Sequence, residues 1–361
     1  MTLDQARAEF PVLERIAYLN AGTNGPLARR TTAAMAAQEQ ADLEGGRGGP
    51  DYFERVLELR DEVRAKLADA VGVAVENLSL ATSTTNGCNI VLAGLGLTAE
   101  DEIVTTDGEH FGLLGALAVS PARVRVAKVR ELAPEDALHV LLEEVTPRTR
   151  LLALSQVCWM SGNRFPAAEL KEATDLPVLV DGAQSAGAVP VDAARLDFYA
   201  FSCQKWLCGP DATGGLVVAD PERLGVMAPS YLSQESHEAE GTFVARPGAA
   251  RFDPGWTPPP SLAGLGAALD LAPEGRFERA AKMAARCRDL LAERFEVVTA
   301  PAQATLVSFR VEGDSAETVK RLYEQGVVVR DVPKLGWIRV SCGWWTSEKD
   351  LTRLLGALGG P

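Results

Sequence analysis

The chain is poor in histidine, in paired cysteines and in long apolar runs, and each shortage excludes something. Only three histidines occur and none of the six cysteines forms a CxxC pair, so no metal site is expected. No stretch reaches the roughly 18 consecutive apolar residues of a membrane helix, so no membrane association is expected. The opening residues, MTLDQARAEFPVLERIAYLN, mix charges throughout and carry neither an apolar core nor a cleavage site, which argues against a secretory leader. Scattered cysteines without a framework suit a reducing compartment, and a cytoplasmic location is expected. Positive charge is short as well: Lys+Arg 36 against Asp+Glu 49 leaves −13. Such a surface repels phosphate backbones, so no nucleic-acid partner is expected. The glycine signatures GxGxxG and GxxxxGK[ST] are both missing, which removes the usual dinucleotide and nucleoside triphosphate sites.

What is present is a globular α/β pattern. The 361 residues, 47% hydrophobic and 24% charged, can build a substantial core and about two domains. Apolar residues at helical spacing run from Asp51 to Val71 and stop at Gly72. Short apolar runs predict strands at Ile103–Thr106, Val124–Val129, Leu151–Val157, Pro177–Val180, Phe198–Ser202 and Gly215–Ala219. Several lack alternation, as strands buried on both faces do, and helical stretches between them predict a mostly parallel sheet. Arg246–Pro260, with five prolines, marks the best boundary. A large domain over 15–255 and a smaller α+β domain over 256–361 are expected, with residues 1–14 packing on the smaller one. In the latter, helices over Ser261–Leu271, Arg276–Phe295 and Ser347–Leu358 flank strands at Thr305–Val311, Val327–Arg330 and Trp337–Ser341.

Three polar elements follow predicted strands and a fourth opens a predicted helix. In LPVLVDGAQSAG, Asp181 ends an apolar run, where a carboxylate can face a ligand or simply cap a turn. In FYAFSCQKWLCGP, Lys205 sits among Phe201, Trp206 and Leu207, where burial would lower its pKa or its stem would pass an apolar edge to solvent. In ATSTTNGCNIVLAGL, Ser83, Thr84 and Thr85 open a helix and can bind an anion or act as its N-cap. In TTDGEHFG, His110 can stack on a flat ring or hold a loop by hydrogen bonds. Together a phosphate cradle, a histidine, a carboxylate and a lysine match what pyridoxal phosphate (PLP) requires.

From YLNAGTNGPL to the C-terminal helix the sequence resembles the class V members of the fold-type I PLP-dependent enzymes, the aminotransferase and cysteine desulfurase group. DGAQSAG and KWLCGP are the most specific parts. TTNGCNIVLAGL, VDGAQSAGAVPVDAARLDFYAF and IRVSCGWWTSEKDLTRLL look most similar to the cysteine/cystine C–S lyases of that group. The resemblance implies a mostly parallel central sheet flanked by helices, PLP as cofactor, a small-molecule amino-acid substrate and a homodimer. It implies that Lys205 is the Schiff-base lysine, that Asp181 binds the ring nitrogen, that Gln184 binds the ring oxygen and that His110 stacks on the ring. Ser83, Thr84, Thr85, Ser202, Gln204 and Thr257 would complete the cofactor site, and Asn20, Arg330 and Arg339 the substrate site, with Arg339 on the α-carboxylate.

Three positions depart from the group's pattern: Gln204 stands for the usual His, Cys203 for Gly, and Trp256 where a Thr or Gly-Thr pair reaches the partner subunit's phosphate. The interval Asp331–Ile338 has no cysteine where a desulfurase carries its nucleophile, and Cys342 lies in an apolar run and is expected to be buried. The implied activity is therefore β-elimination from cysteine, cystine or a related sulfur amino acid. A class V aminotransferase or an isopenicillin N epimerase-like enzyme is the alternative, and a non-catalytic PLP-fold protein the rival from another class.

Overall fold

The computed structural model describes residues 1–359. In chain order its strands are β1 (Ala17–Tyr18), β2 (Leu78–Ala81), β3 (Glu102–Thr106), β4 (Arg123–Ala127), β5 (Thr149–Ser155), β6 (Val178–Asp181) and β7 (Phe198–Ser202). They continue with β8 (Gly214–Val218), β9 (Gln234–His237), β10 (Phe243–Ala245), β11 (Leu306–Arg310), β12 (Val327–Val328), β13 (Arg330–Val332) and β14 (Trp337–Ser341).

Seven strands form the central sheet in the order β2-β8-β7-β6-β5-β3-β4. The pairs β3–β4, β3–β5, β5–β6 and β6–β7 are parallel, while β8 runs antiparallel to both β7 and β2. Helices cover the faces, so β3, β6, β7 and β8 are buried along their whole length, in keeping with their apolar, non-alternating centres. The exception is the edge strand β4, RVRVA, whose residues are mostly accessible. Because β3, β5, β6 and β7 are parallel, their C-terminal ends open on one edge of the sheet, and the loops carrying His110, Trp159, Gln184 and Lys205 all leave from there.

Differences from the sequence reading are local. β5 spans Thr149–Ser155 rather than Leu151–Val157, because Val157 leaves the sheet for an isolated bridge with Arg164. Asp181 is the last residue of β6 rather than the first beyond it. The expected strand Val327–Arg330 is two: β12 pairs with β1 and β13 with β14, because the chain changes partner at Val329. Strand β2 and the exposed hairpin β9–β10 had no clear sequence signal, since four residues at an edge carry little periodicity.

The proline-rich segment is pinned before the helix Pro259–Leu269 begins. Asp253 accepts from Arg60 Nη2 at 3.0 Å, Arg64 Nη2 at 2.7 Å, Ser79 Oγ at 3.1 Å and the Leu80 amide at 3.0 Å, all buried. At the other end, Phe10 packs on Trp344 and Trp345 with ring centroids 5.7 and 5.9 Å away, and Arg7 Nε donates to the Trp345 carbonyl at 2.8 Å. The N-terminal segment thus rests on residues near the C-terminus and brings Asn20–Gly25 over the open edge of the central sheet. No helix among the described residues is long and apolar enough to cross a membrane.

Candidate active site

The turn after β7 presents Lys205. Cys208 takes a left-handed conformation (φ 55), its amide donates to the Lys205 carbonyl at 3.1 Å, and the Gly209 amide returns to Cys203 at 2.9 Å. From above, the Gly25 amide donates to the Gln204 carbonyl at 2.7 Å, and a Cβ at Gly25 would fall 2.0 Å from the Lys205 carbonyl oxygen. Lys205 is half-buried. Burial lowers its amine to about 8; Arg339 adds to that shift, and Asp181 opposes it.

Asp181 is buried at the end of β6, with Oδ1 accepting from the Ala183 amide at 2.9 Å. Burial raises its pKa, and Lys205, the Ala183 amide and His110 pull it back down. Beside it, Gln184 Nε2 donates to the Gly22 carbonyl at 2.9 Å while Oε1 accepts from Trp206 Nε1 at 3.0 Å, which fixes the amide's orientation and leaves its second N–H uncommitted.

Arg339, in β14, is 2% exposed, yet no carboxylate lies within ion-pairing distance among the described residues. Nη1 donates to the Trp159 carbonyl at 2.9 Å, Nη2 lies 3.4 Å from Asn20 Oδ1 and from Thr23 Oγ1, and Nε has no acceptor among the described residues. Burial brings the guanidinium down to about 10. An unpaired buried cation is costly unless an anion arrives to meet it. Arg330 lies directly across β13–β14 from Arg339, so both side chains leave the same face, but Arg330 is exposed.

Gly22 makes this arrangement possible. A Cβ there would lie 2.8 Å from Arg339 Nη2 and 3.0 Å from Gln184 Oε1. Gly22→Ala is therefore expected to displace the guanidinium and raise KM about tenfold with little change in Tm, which steady-state kinetics and thermal melting will measure.

His110 caps the helix Phe111–Val119: Nδ1 accepts from the Gly112 amide at 3.1 Å, which places the ring proton on Nε2. Desolvation and then Lys205 hold this imidazole below its ordinary pKa, so it is neutral at pH 7. Its ring stands edge-on to Trp159, with centroids 5.4 Å apart at 90°. Ser83 caps the helix Thr84–Gly94 through the Asn86 amide at 3.1 Å. Thr84 is buried against Ser202, whose Oγ lies 2.9 Å from both the Thr84 amide and its hydroxyl. Gly87 permits that approach, since a Cβ there would meet Ala200 of β7 at 2.7 Å.

Lys205, Asp181, Gln184, His110, Arg339 and Asn20 therefore converge, with Thr84 and Ser202 paired to each other nearby. Thr257 is buried just before the helix Pro259–Leu269 with no hydrogen bond to this group, and its neighbour Trp256 packs on Tyr52 and Phe53 at 6.1 and 5.6 Å. Gln204 turns a buried Oε1 that has no partner among the described residues. Gly22, Thr23, Trp159 and Glu109 escaped sequence reading. They are not adjacent to Lys205 or Asp181 in the chain, and only Glu109, a carboxylate wedged between a strand end and a histidine, carried a local signal.

Known proteins resemble this chain over most of its length. The sequence model of the family described as aminotransferase class-V matches residues 17–342. Isopenicillin N epimerase of Streptomyces clavuligerus is 30% identical, covering 98% of this chain and 97% of that protein. A cysteine desulfurase of Dickeya dadantii (strain 3937) is 32% identical over 74% of this chain and 70% of its own length. Among solved structures, the complex of the cystine C-S lyase C-DES with its reaction product cysteine persulfide superposes with a TM-score of 0.90 at 30% identity, covering 98% of this chain and 100% of that one. A C-DES mutant carrying glycine covalently linked to its PLP cofactor gives 0.91, also at 30% identity, covering 98% of each chain. The architecture is thus the fold-type I arrangement, and with the family's sequence model spanning most of its length the chain belongs to the class-V aminotransferases.

Proposed function

We propose that the chain is a PLP-dependent β-lyase that cleaves a C–S bond of cysteine, cystine or a related sulfur amino acid. The donor set fits the cofactor group by group: a lysine amine for the aldehyde, a buried carboxylate for the ring nitrogen and a free amide N–H on Gln184 for the ring oxygen. Hydroxyls of Ser83, Thr84, Thr85 and Ser202 at a helix N-terminus suit the phosphate. Bound there, PLP supplies an electron sink for charge developing at the substrate Cα.

The chain's own residues supply the rest. Arg339 meets the substrate α-carboxylate and so turns the Cα–H toward Lys205. Lys205, with an amine near 8, is partly neutral at physiological pH and can take that proton. Asp181, buried and accepting from the Ala183 amide, faces the ring nitrogen and retains the proton there. Neutral His110 offers a flat face without adding charge. The Cβ–S bond then breaks and sulfur leaves with the electron pair. Cystine and water give pyruvate, ammonia and cysteine persulfide; cysteine and water give pyruvate, ammonia and sulfide. Arg330, on the same face as Arg339, suits the second carboxylate of cystine.

The observation that carries a lyase over a desulfurase is that all six cysteines are buried, Cys342 included, so no thiol is placed to receive sulfur. Free, buried thiols also suit a cytoplasmic enzyme. Exposed Phe111, Val119 and Tyr231, and the half-open cluster of Phe53 and Trp256, support assembly as a homodimer. Incubation of the purified chain and PLP with cysteine and with cystine is expected to produce pyruvate. No pyruvate from either substrate overturns the lyase reading. The near full-length likeness to isopenicillin N epimerase favours a second reading, in which α-hydrogen exchange with D2O occurs without net product.

A further inference from the structure

Glu109 is a buried carboxylate for which elimination needs no role. It follows β3 and immediately precedes His110, and it is 4% exposed. Oε1 accepts from Thr106 Oγ1 at 2.5 Å; Oε2 accepts from the Ser155 amide at 2.9 Å and from Ser155 Oγ at 2.5 Å. Thr106 closes β3 and Ser155 closes β5, so this one carboxylate ties together the two strand ends that carry His110 and Trp159.

Ser155 is also the register partner of Asp181 across β5–β6. Side chains of in-register neighbours leave the same face about 5 Å apart, which puts the Glu109 carboxylate one serine away from that of Asp181. The titratable groups that face Glu109 are Asp181 from β6, Cys88 from the helix Thr84–Gly94 and Cys158 from the turn after β5. All three add negative charge or none. Burial raises the Glu109 carboxyl to about 7; its three donors oppose that shift and Asp181 reinforces it. A carboxylate buried without a cation costs stability, and a purely structural tie between Thr106 and Ser155 would be made as well by a neutral amide.

We infer that Glu109 is a positioning residue acting through Asp181, a second buried carboxylate whose charge strengthens the hold of Asp181 on the cofactor's ring proton while its hydrogen bonds set the loop of His110. The inference rests on the PLP reading above. When Glu109 is ionised its negative field raises the proton affinity of any cationic group seated on Asp181; when it is protonated that support is withdrawn.

The test is a pH titration of the cofactor's absorbance in the wild-type holoenzyme, in Glu109→Gln and in Ser155→Ala. The wild type is expected to show a transition near pH 7 that E109Q lacks, and the remaining transition in E109Q to fall by about half to one pH unit, since a nearby negative charge has gone. Ser155→Ala keeps the carboxylate but removes one hydrogen bond to its charged form, so the transition near 7 should move to higher pH; this arm stands if E109Q does not fold. Titrations of E109Q and S155A that superimpose on the wild type overturn the inference while leaving the PLP reading intact. A wild type whose absorbance shows no PLP uptake overturns both.

Discussion

Lys205→Ala is expected to lower kcat at least about 10³-fold, because the proposed function gives this one amine two tasks, bonding the cofactor and taking the proton from the substrate Cα. The fold should survive: the lysine lies in a turn held by the Cys208-to-Lys205 and Gly209-to-Cys203 backbone bonds, which the substitution leaves in place. Added PLP should then bind reversibly and dialyse away, whereas the wild type retains it. A variant that keeps more than a tenth of wild-type turnover would mean that another group moves the proton. His110, neutral and held at Nδ1 by Gly112, would be the first to examine.

The second large effect is expected at Arg339. Arg339→Gln removes the buried cation that the proposed function sets against the substrate carboxylate, and truncating one partner of such a pair costs about 2–5 kcal/mol, or roughly 30- to 5,000-fold in kcat/KM. Stability should move the other way. In the free protein this guanidinium is buried with no carboxylate partner among the described residues and an Nε without an acceptor. Neutralising it should therefore hold or raise Tm while activity collapses. Thermal melting beside steady-state kinetics measures both signs at once, and a marked fall in Tm would show instead that Arg339 serves the packing of β14. Arg339→Lys is not expected to rescue, since a shorter point-like ammonium lacks the planar fork that can hold the Trp159 carbonyl on one nitrogen and present the others to a carboxylate.

How far the sequence could be read depended on how local each signal is. The helix Pro50–Val71 follows from apolar spacing closed by Gly72 in a left-handed conformation. Strand β7, FYAFS, and strand β14, WIRVS, matched to the residue because each is buried over its whole length and bounded by turn residues. β2 was missed because LSLA is short and its partner β8 is more than a hundred residues away. At the site, Lys205, Asp181 and Arg339 each sit in or directly after an apolar strand, which made them legible one at a time. Trp159 and Gly22 matter only through Arg339, and nothing near them in the chain announces that neighbour.

The sequence by itself determined the parallel α/β layout, the polar residues set at strand ends and the family, because periodicity, composition and contiguous motifs are properties of the chain. Only the tertiary structure decided which of those residues meet. It showed Arg339 buried without a counter-ion among the described residues, Gly22 as the gap that admits it, Thr84 joined to Ser202, Thr257 set apart from the group, and Glu109 bonded to Ser155, the register partner of Asp181. The physical reason is register. A parallel sheet sets side by side residues that lie tens of positions apart in sequence, and electrostatic coupling between buried groups depends on their distance in space and the medium around them, not on their separation along the chain.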